Sequence, residues 1–224
     1  MFESNTSFCT LPNASPNAAE DRRKVGRPSD LAKRNAIIEA ASRRFFDAGF
    51  AATSIEQVAA DAGVSKVTIY NHFGDKRALF AASVDHECSK LKGFFSIVEV
   101  QSGSISERLQ AIGEGVYAFL SRPEMIQFER RIAAETEHED GIGRTFLEAG
   151  PWRVKQSFSD FLSHANANGE LAIDDPEMAA EQFISMCKGM GDLEHRFGEP
   201  PNADDRAKRI VGAVEVFLKA YRPS

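Results

Sequence analysis

An all-α fold is predicted for this chain of 224 residues by three features of its sequence. From about residue 31 onward, apolar residues recur at the three- and four-residue spacing of a helix face. No run alternates apolar and polar residues as a half-buried strand does. Short interruptions rich in Gly, Pro, Asn, Asp and Ser, namely "QSGS", "SRP", "HEDGIG", "NANGELAIDDP" and "FGEPPNAD", punctuate the periodic stretches. About nine helices are expected, three in a leading unit of residues 31–80 and the rest in a second unit of residues 81–224.

Residues 1–21 carry Asn, Ser and Pro where periodic apolar positions would stand, so they read as a disordered tail, and the basic run in residues 22–30, "RRKVGRPSD", follows as an arm. The first helix is expected from about Leu31 to Ala48, with Ile38, Ala41 and Phe45 on one face and Gly49 as its stop. A second begins at Thr53 or Ser54, where either "TSIE" or "SIEQ" can form a capping box. It turns Ile55, Val58, Ala59 and Ala62 inward and ends at Gly63. Ser65 then caps a third helix, and a helix-turn-helix spans about residues 54–73. Further along, Asp175 and Pro176 have cap and first-turn chemistry for a helix carrying Ala179, Phe183, Met186 and Met190. The last helix, about Asp204 to Tyr221, places Ile210, Val211, Val214, Phe217, Leu218 and Tyr221 in a wide apolar stripe.

Composition excludes several classes of protein. The first twenty residues contain no Lys or Arg and no apolar run of the kind a secretory signal needs. No segment approaches the roughly 20 apolar residues that cross a bilayer, so no membrane partner is expected. Cys9, Cys88 and Cys187 lie far apart with no CxxC spacing, which argues against a disulfide framework or a zinc site and fits a reducing cytoplasm. The net charge of -6 hides an asymmetry: residues 22–77 hold 11 Lys/Arg against 6 Asp/Glu, whereas residues 81–224 hold 16 against 24. Phosphate attraction depends on the local face, so the basic leading part is compatible with a nucleic-acid partner.

The third helix, in "AGVSKVTIYNHFGDKRALF", is short and holds Val67, Thr68 and Ile69 in succession, a poor helix former on its own. On a helical wheel Ile69 and Phe73 point inward with Val64 beside them, while Val67, Thr68 and Asn71 face outward, flanked by Lys66 and Tyr70. That is the arrangement of a helix held by its neighbours and presented to the major groove. Lys66 can meet phosphate or guanine acceptors, Val67 a thymine methyl, and Thr68, Tyr70, Asn71 and His72 offer polar groups to phosphate or base edges. Asp75 starts the next helix and Lys76 sits in its first turn, where free N–H groups favour a phosphate oxygen.

The stretch "GFAATSIEQVAADAGVSKVTIYNHFGDKRALF" resembles the DNA-binding domain of the TetR family of bacterial transcriptional regulators, over about Asn35 to Val84. The AGVS turn, the T-I-Y-x-H-F core and the following K-x-x-L carry the resemblance. Val67 stands where the family often has Gly, Pro or Ala, and the position of Asn71 varies within it. "FLEAGPWRVKQSFSDFL", "ANGELAIDDPEMAAEQF" and "VEVFLKAYRP" resemble the narrower AefR-like subgroup. The resemblance implies an all-helical homodimer in which three helices of each subunit bind operator DNA and the remainder binds an effector and dimerises. The DNA contacts are expected at Arg27, Thr53, Ser54, Ser65, Lys66, Val67, Thr68, Tyr70, Asn71, His72 and Lys76, with phosphate contact by Tyr70 and His72 also favoured by the resemblance. It also implies a pocket for a small apolar or aromatic effector, for which Phe94, Phe119, Phe128, Phe146, Trp152, Phe158 and Phe183 are candidates, though core packing explains most of them equally well. Phe183, Met186, Met190, Ile210, Val214, Phe217, Leu218 and Tyr221 are expected to pair with their copies in a four-helix dimer interface.

The alternatives follow from the same residues, and Tyr70 and His72 fit either phosphate contact or packing at the foot of the short helix. Arg22, Arg23, Lys24 and Arg27 fit either an arm that enters the minor groove or a solvated basic linker. His138 among the acids of "ETEHED" fits a solvated helix end better than a metal site, and Cys88 and Cys187 fit buried small hydrophobes better than oxidant sensors. No Ser/His/Asp or paired-carboxylate spacing supports an enzyme, and neither a cofactor nor a metal is expected. A ligand-released repressor is the leading expectation, with an activator or dual regulator on the same fold, or a non-specific architectural DNA-binding protein, behind it.

Overall fold

The computed structural model describes residues 30–100, 103–199 and 202–223, and the basic arm with Arg27 lies outside them. Every regular element among the described residues is a helix. Helix α1 (Asp30–Ala52) buries Ile37, Ala41 and Phe45, and at Gly49 its backbone turns to φ 87° and ψ 178°, a conformation open to glycine alone. The expected stop is therefore a kink, followed by one further turn.

Helix α2 (Ile55–Ala62) takes the second of the two possible capping boxes: Gln57 N–H donates to Ser54 Oγ at 3.2 Å, and Ser54 N–H donates to Gln57 Oε1 at 3.0 Å. Gly63, left-handed at φ 66°, ends it. Ser65 caps α3 (Lys66–Phe73) by accepting the Thr68 N–H at 3.2 Å. Asp75 then accepts the Ala78 N–H at 2.7 Å and starts α4 (Lys76–Val100). This long helix runs unbroken past residue 80, so the division expected between residues 80 and 81 falls inside it.

The second unit continues with α5 (Ile105–Leu120), α6 (Pro123–Glu135), α7 (Ile142–Ala149), α8 (Pro151–Ala167), α9 (Pro176–Arg196) and α10 (Ala203–Tyr221). Asp175 caps α9 as expected, accepting the Met178 N–H at 3.0 Å. Helices α7 and α8 are parted by Gly150 alone, a break without a cluster of polar turn residues. Counted separately they bring the described helical spans to ten, and counted together to nine.

Phenylalanines join the two units. Phe45, Phe50 and Phe80 meet within the leading unit, and Phe46 of α1 stacks on Phe128 of α6 with ring centroids 4.0 Å apart. Phe128 in turn meets Phe80 of α4 and Phe146 of α7. A second cluster, Phe158, Phe183, Phe217 and Tyr221, ties α8, α9 and α10 together.

That second cluster corrects the expected dimer stripe. Phe183, Ile210, Val214, Phe217 and Leu218 are buried inside the subunit, and Met186 and Tyr221 are half-buried. Within the same chain α9 packs on α5, α8 and α10, and α10 packs on α5 and α9. Only Met190 of the expected set stands out in solvent, and the other outward apolar residues are Met178 near the start of α9, Leu193 and Phe197 near its end, and Val211 and Val216 on α10.

Candidate nucleic-acid interface and cavity

Helix α3 has no strong propensity of its own and is held from both ends and from below. Its Ser65 cap ties down the first turn, Gly74 N–H donates to the Tyr70 carbonyl at 2.8 Å at the last, and Ile69 is fully buried under it. Burial of an Ile side chain contributes about 1.5–3 kcal/mol, enough to outweigh the cost of the β-branched run. Phe73 is half-buried, with the Arg34 guanidinium 5.2 Å above its ring. Arg44 of α1 grips Asp61 of α2 with Nε at 2.5 Å and Nη2 at 2.9 Å, which fixes the two supporting helices; the Asp61 hydrogen bond raises the arginine and the same contact lowers the carboxyl.

The outward face follows the wheel. Val67 is 60% exposed and Tyr70 46% exposed, and Ser65, Lys66 and Asn71 are exposed beside them. Lys66 Nζ lies 3.3 Å from Glu56 of α2, and the Thr68 hydroxyl lies 2.9 Å from that of Ser65. Glu56 is held below its usual range first by a backbone hydrogen bond and then by Lys66. Ser54 is half-buried, with its oxygen accepting at the α2 cap.

Three expected contacts are drawn inward instead. Thr53 is 2% exposed, and its hydroxyl lies 2.8 Å from the Gly49 carbonyl and 3.1 Å from that of Arg44, so it locks the kink rather than facing outward. The His72 side chain is mostly buried, with Nε2 3.4 Å from Asp30 at the start of α1. Lys76 Nζ donates to the Ala51 carbonyl at 3.3 Å and lies 4.4 Å from the Phe50 ring centroid. Burial lowers its pKa against the pull of Glu135 and Glu139. Each of these side chains thus has a partner within the protein: a backbone carbonyl for Thr53 and Lys76, and the Asp30 carboxylate for His72.

In the second unit a cavity of about 420 Å³ lies between α1, α4, α5, α6, α7, α8 and α9. Of the seven aromatic candidates, Phe119, Phe128 and Phe146 line it. The other four do not: Phe158 and Phe183 are fully buried in the cluster against α10, Trp152 stands 45% exposed, and Phe94 lies over Gly115. Sequence reasoning missed Phe46, which reaches the cavity from α1, and a charged corner made by Glu129 of α6 with Lys188 and Arg196 of α9. Arg196 Nη2 lies 2.7 Å from Glu129, and Asp192 lies 3.3 Å from Lys188 Nζ and 3.1 Å from Arg196 Nε. Burial raises the Glu129 carboxyl, against the lowering effect of Arg196 and Lys188. Cys88 also lines the cavity, and burial pushes its thiol up to about 11.

No helix among the described residues is long and apolar enough to cross a membrane, and no group of His, Cys, Asp and Glu among them could hold a metal ion.

Comparison with known proteins agrees with this layout. Residues 37–83 match the bacterial regulatory proteins of the tetR family, and residues 107–223 match the C-terminal domain of the AefR-like transcriptional repressors. The HTH-type transcriptional regulator YvkB of Bacillus subtilis is 27% identical over 184 residues, 82% of this chain and 94% of its own. The fold is similar to that of a TetR-family transcriptional regulator of Mesorhizobium loti, with a TM-score of 0.73, 26% identity, and coverage of 88% of this chain and 100% of that one. It is also similar to the flavonoid-responsive regulator FrrA, with a TM-score of 0.66, 32% identity, and coverage of 85% and 97%. These relatives are transcriptional regulators rather than enzymes, and the two matched domains together with the all-helical fold show that this chain belongs to the TetR family of transcriptional regulators, with an AefR-like C-terminal domain.

Proposed function

We propose that this protein is a sequence-specific repressor that binds a roughly palindromic operator as a homodimer and releases it when a small aromatic effector fills the cavity. The observation that carries the reading is the outward face of α3: Val67, Tyr70 and Asn71 are exposed on a helix whose other side is anchored by fully buried Ile69. A rigid helix with a mixed apolar and polar outer face suits base edges and phosphates in the major groove. Lys66 exchanges Glu56 for phosphate, and Ser54, Ser65 and Thr68 supply hydroxyls near the backbone.

The outward apolar residues of α9 and α10, Met190, Leu193, Phe197, Val211 and Val216, form the dimer face in this reading. Two-fold symmetry then sets the two copies of α3 about 34 Å apart, one turn of the duplex. The cavity supports the effector, since its aromatic walls share Phe46 with α1 and its residues Val84, Cys88 and Leu91 with α4, both of which carry the DNA-binding unit. An occupant that favours one arrangement of these helices shifts the spacing of the dimer. The repressor description of the AefR-like domain and the flavonoid response of FrrA agree with this reading.

Selection of bound fragments from a random DNA pool tests it. An inverted repeat with half-sites one turn apart is the expected result, and enrichment of no sequence would leave only non-specific binding. With roughly 8 phosphates neutralised per dimer, log affinity falls with log salt at a slope near -7, and a salt-insensitive affinity contradicts the interface.

A further inference from the structure

We propose that the cavity takes a flat aromatic molecule carrying a neutral hydroxyl, which docks in the corner formed by Glu129, Lys188 and Arg196. This rests on the effector reading above and narrows it to one ligand chemistry.

The walls favour an aromatic body. Phe46 and Phe128 stack face to face with an interplanar angle of 11°, and Phe146 meets Phe128 edge-on with centroids 5.7 Å apart. Flat occupants gain offset-stacked and edge contacts with such a surface, which a branched aliphatic chain cannot match. The volume of about 420 Å³ suits a small molecule of two or three rings.

The corner decides the polar end. Two cations, Lys188 and Arg196, stand against two carboxylates, Glu129 and Asp192, and each cation already has an anionic partner at 3.3 Å or less. An anionic ligand meets Glu129, and a cationic ligand meets Lys188 and Arg196, so either sign confronts a like charge. A hydroxyl fits both halves, because it donates to the Glu129 carboxylate and accepts from the ammonium or guanidinium. A site that hydrogen-bonds a ligand hydroxyl discriminates against the analogue that lacks one.

Calorimetry on the full chain with four naphthalenes tests this: the parent hydrocarbon, 2-naphthol, 2-naphthoate and 2-(aminomethyl)naphthalene. We expect 2-naphthol to bind at least about 10-fold more tightly than each of the others. In Glu129→Leu/Arg196→Leu, which removes the paired charges together, and separately in Lys188→Met, that advantage shrinks while naphthalene binding persists. Equal binding of naphthalene and 2-naphthol by the parent protein overturns the hydroxyl inference but leaves a ligand-binding cavity. Tighter binding of either charged compound overturns it in favour of charge recognition. Binding of none of the four overturns both this inference and the effector reading. The comparison among the four compounds needs only the unsubstituted protein, so a variant that fails to fold does not remove the test.

Discussion

At the scale of single residues, α3 separates roles that the sequence placed side by side. Tyr70 is exposed with a hydroxyl suited to phosphate, whereas Val67 offers only methyl groups, the most exposed ones of the helix. Tyr70→Ala should therefore weaken binding to operator and random DNA alike. Val67→Ala should change the preference at one base by roughly 1 kcal/mol if a thymine methyl is lost. Fluorescence anisotropy with a set of single-base operator variants reads both, and parent-like behaviour in the two variants would remove α3 as the reader. The inward turn of Thr53 and Lys76 was not legible in sequence, because each is attracted by a backbone carbonyl of α1, whereas packing was one of the two readings open for His72. In the cavity corner, Lys188, Asp192 and Arg196 stand at four-residue spacing on α9, but nothing in the sequence places Glu129 of α6 beside them. The cysteines follow the bland expectation. Burial pushes Cys88 up to about 11 and Cys187 up to about 12, so both thiols stay protonated at pH 8, well below those values. In a Cys9→Ser variant, a thiol-reactive chromogenic disulfide at pH 8 should label neither until denaturant unfolds the chain, and rapid native labelling would contradict their burial.

At the scale of helices, caps and stops were the readable part. "SIEQ", Gly63, Ser65 and Asp175 act where their chemistry placed them, because a cap depends on neighbours within one turn. Gly49 was readable as a break, but its reason is long-range: the Glu135 carboxylate of α6 accepts the Phe50 N–H at 3.0 Å and the Ala51 N–H at 3.3 Å beyond the kink. A methyl group at residue 49 would collide with that carboxylate and sit at φ 87°. Gly49→Ala should thus cost about 1–3 kcal/mol in backbone strain alone, seen as a lower denaturant midpoint. The stripes of α9 and α10 were also readable, yet their destination was not. Periodicity reports that a face is buried and is silent on whether its own chain or a second copy covers it. Phe217 is 1% exposed, so Phe217→Asp should unfold the second unit, by about 3–5 kcal/mol if it resembles other losses of a buried aromatic. Leu193→Asp/Phe197→Asp, at outward positions, should give folded monomers. Circular dichroism and light scattering separate the two outcomes, and a dimer that survives the double substitution would move the interface off the end of α9.

At the scale of the molecule, charge and fold divide differently along the chain. Of the 11 Lys/Arg in residues 22–77, Arg22, Arg23, Lys24 and Arg27 precede α1, which leaves 7 against 6 Asp/Glu on the part that begins with Asp30. Several of those 7 are committed inside the protein: Arg44 to Asp61, Lys76 to the Ala51 carbonyl, and Arg77 to Glu139 at 2.6 Å. In the proposed reading the helical unit therefore brings shape and base contacts with little net positive charge, and most of the attraction to phosphate falls to the arm. Replacing Arg22, Arg23, Lys24 and Arg27 together by Ala should leave thermal stability unchanged while weakening DNA binding at every sequence. The slope of log affinity against log salt should become shallower by about 0.9 for each phosphate the arm neutralises. If the arm also enters the minor groove, the same variant loses a preference for A·T pairs flanking the half-sites, and a solvated linker loses none. An unchanged salt slope would place the phosphate contacts on the helices alone, and Lys66, freed from Glu56, would then be the first cation to substitute.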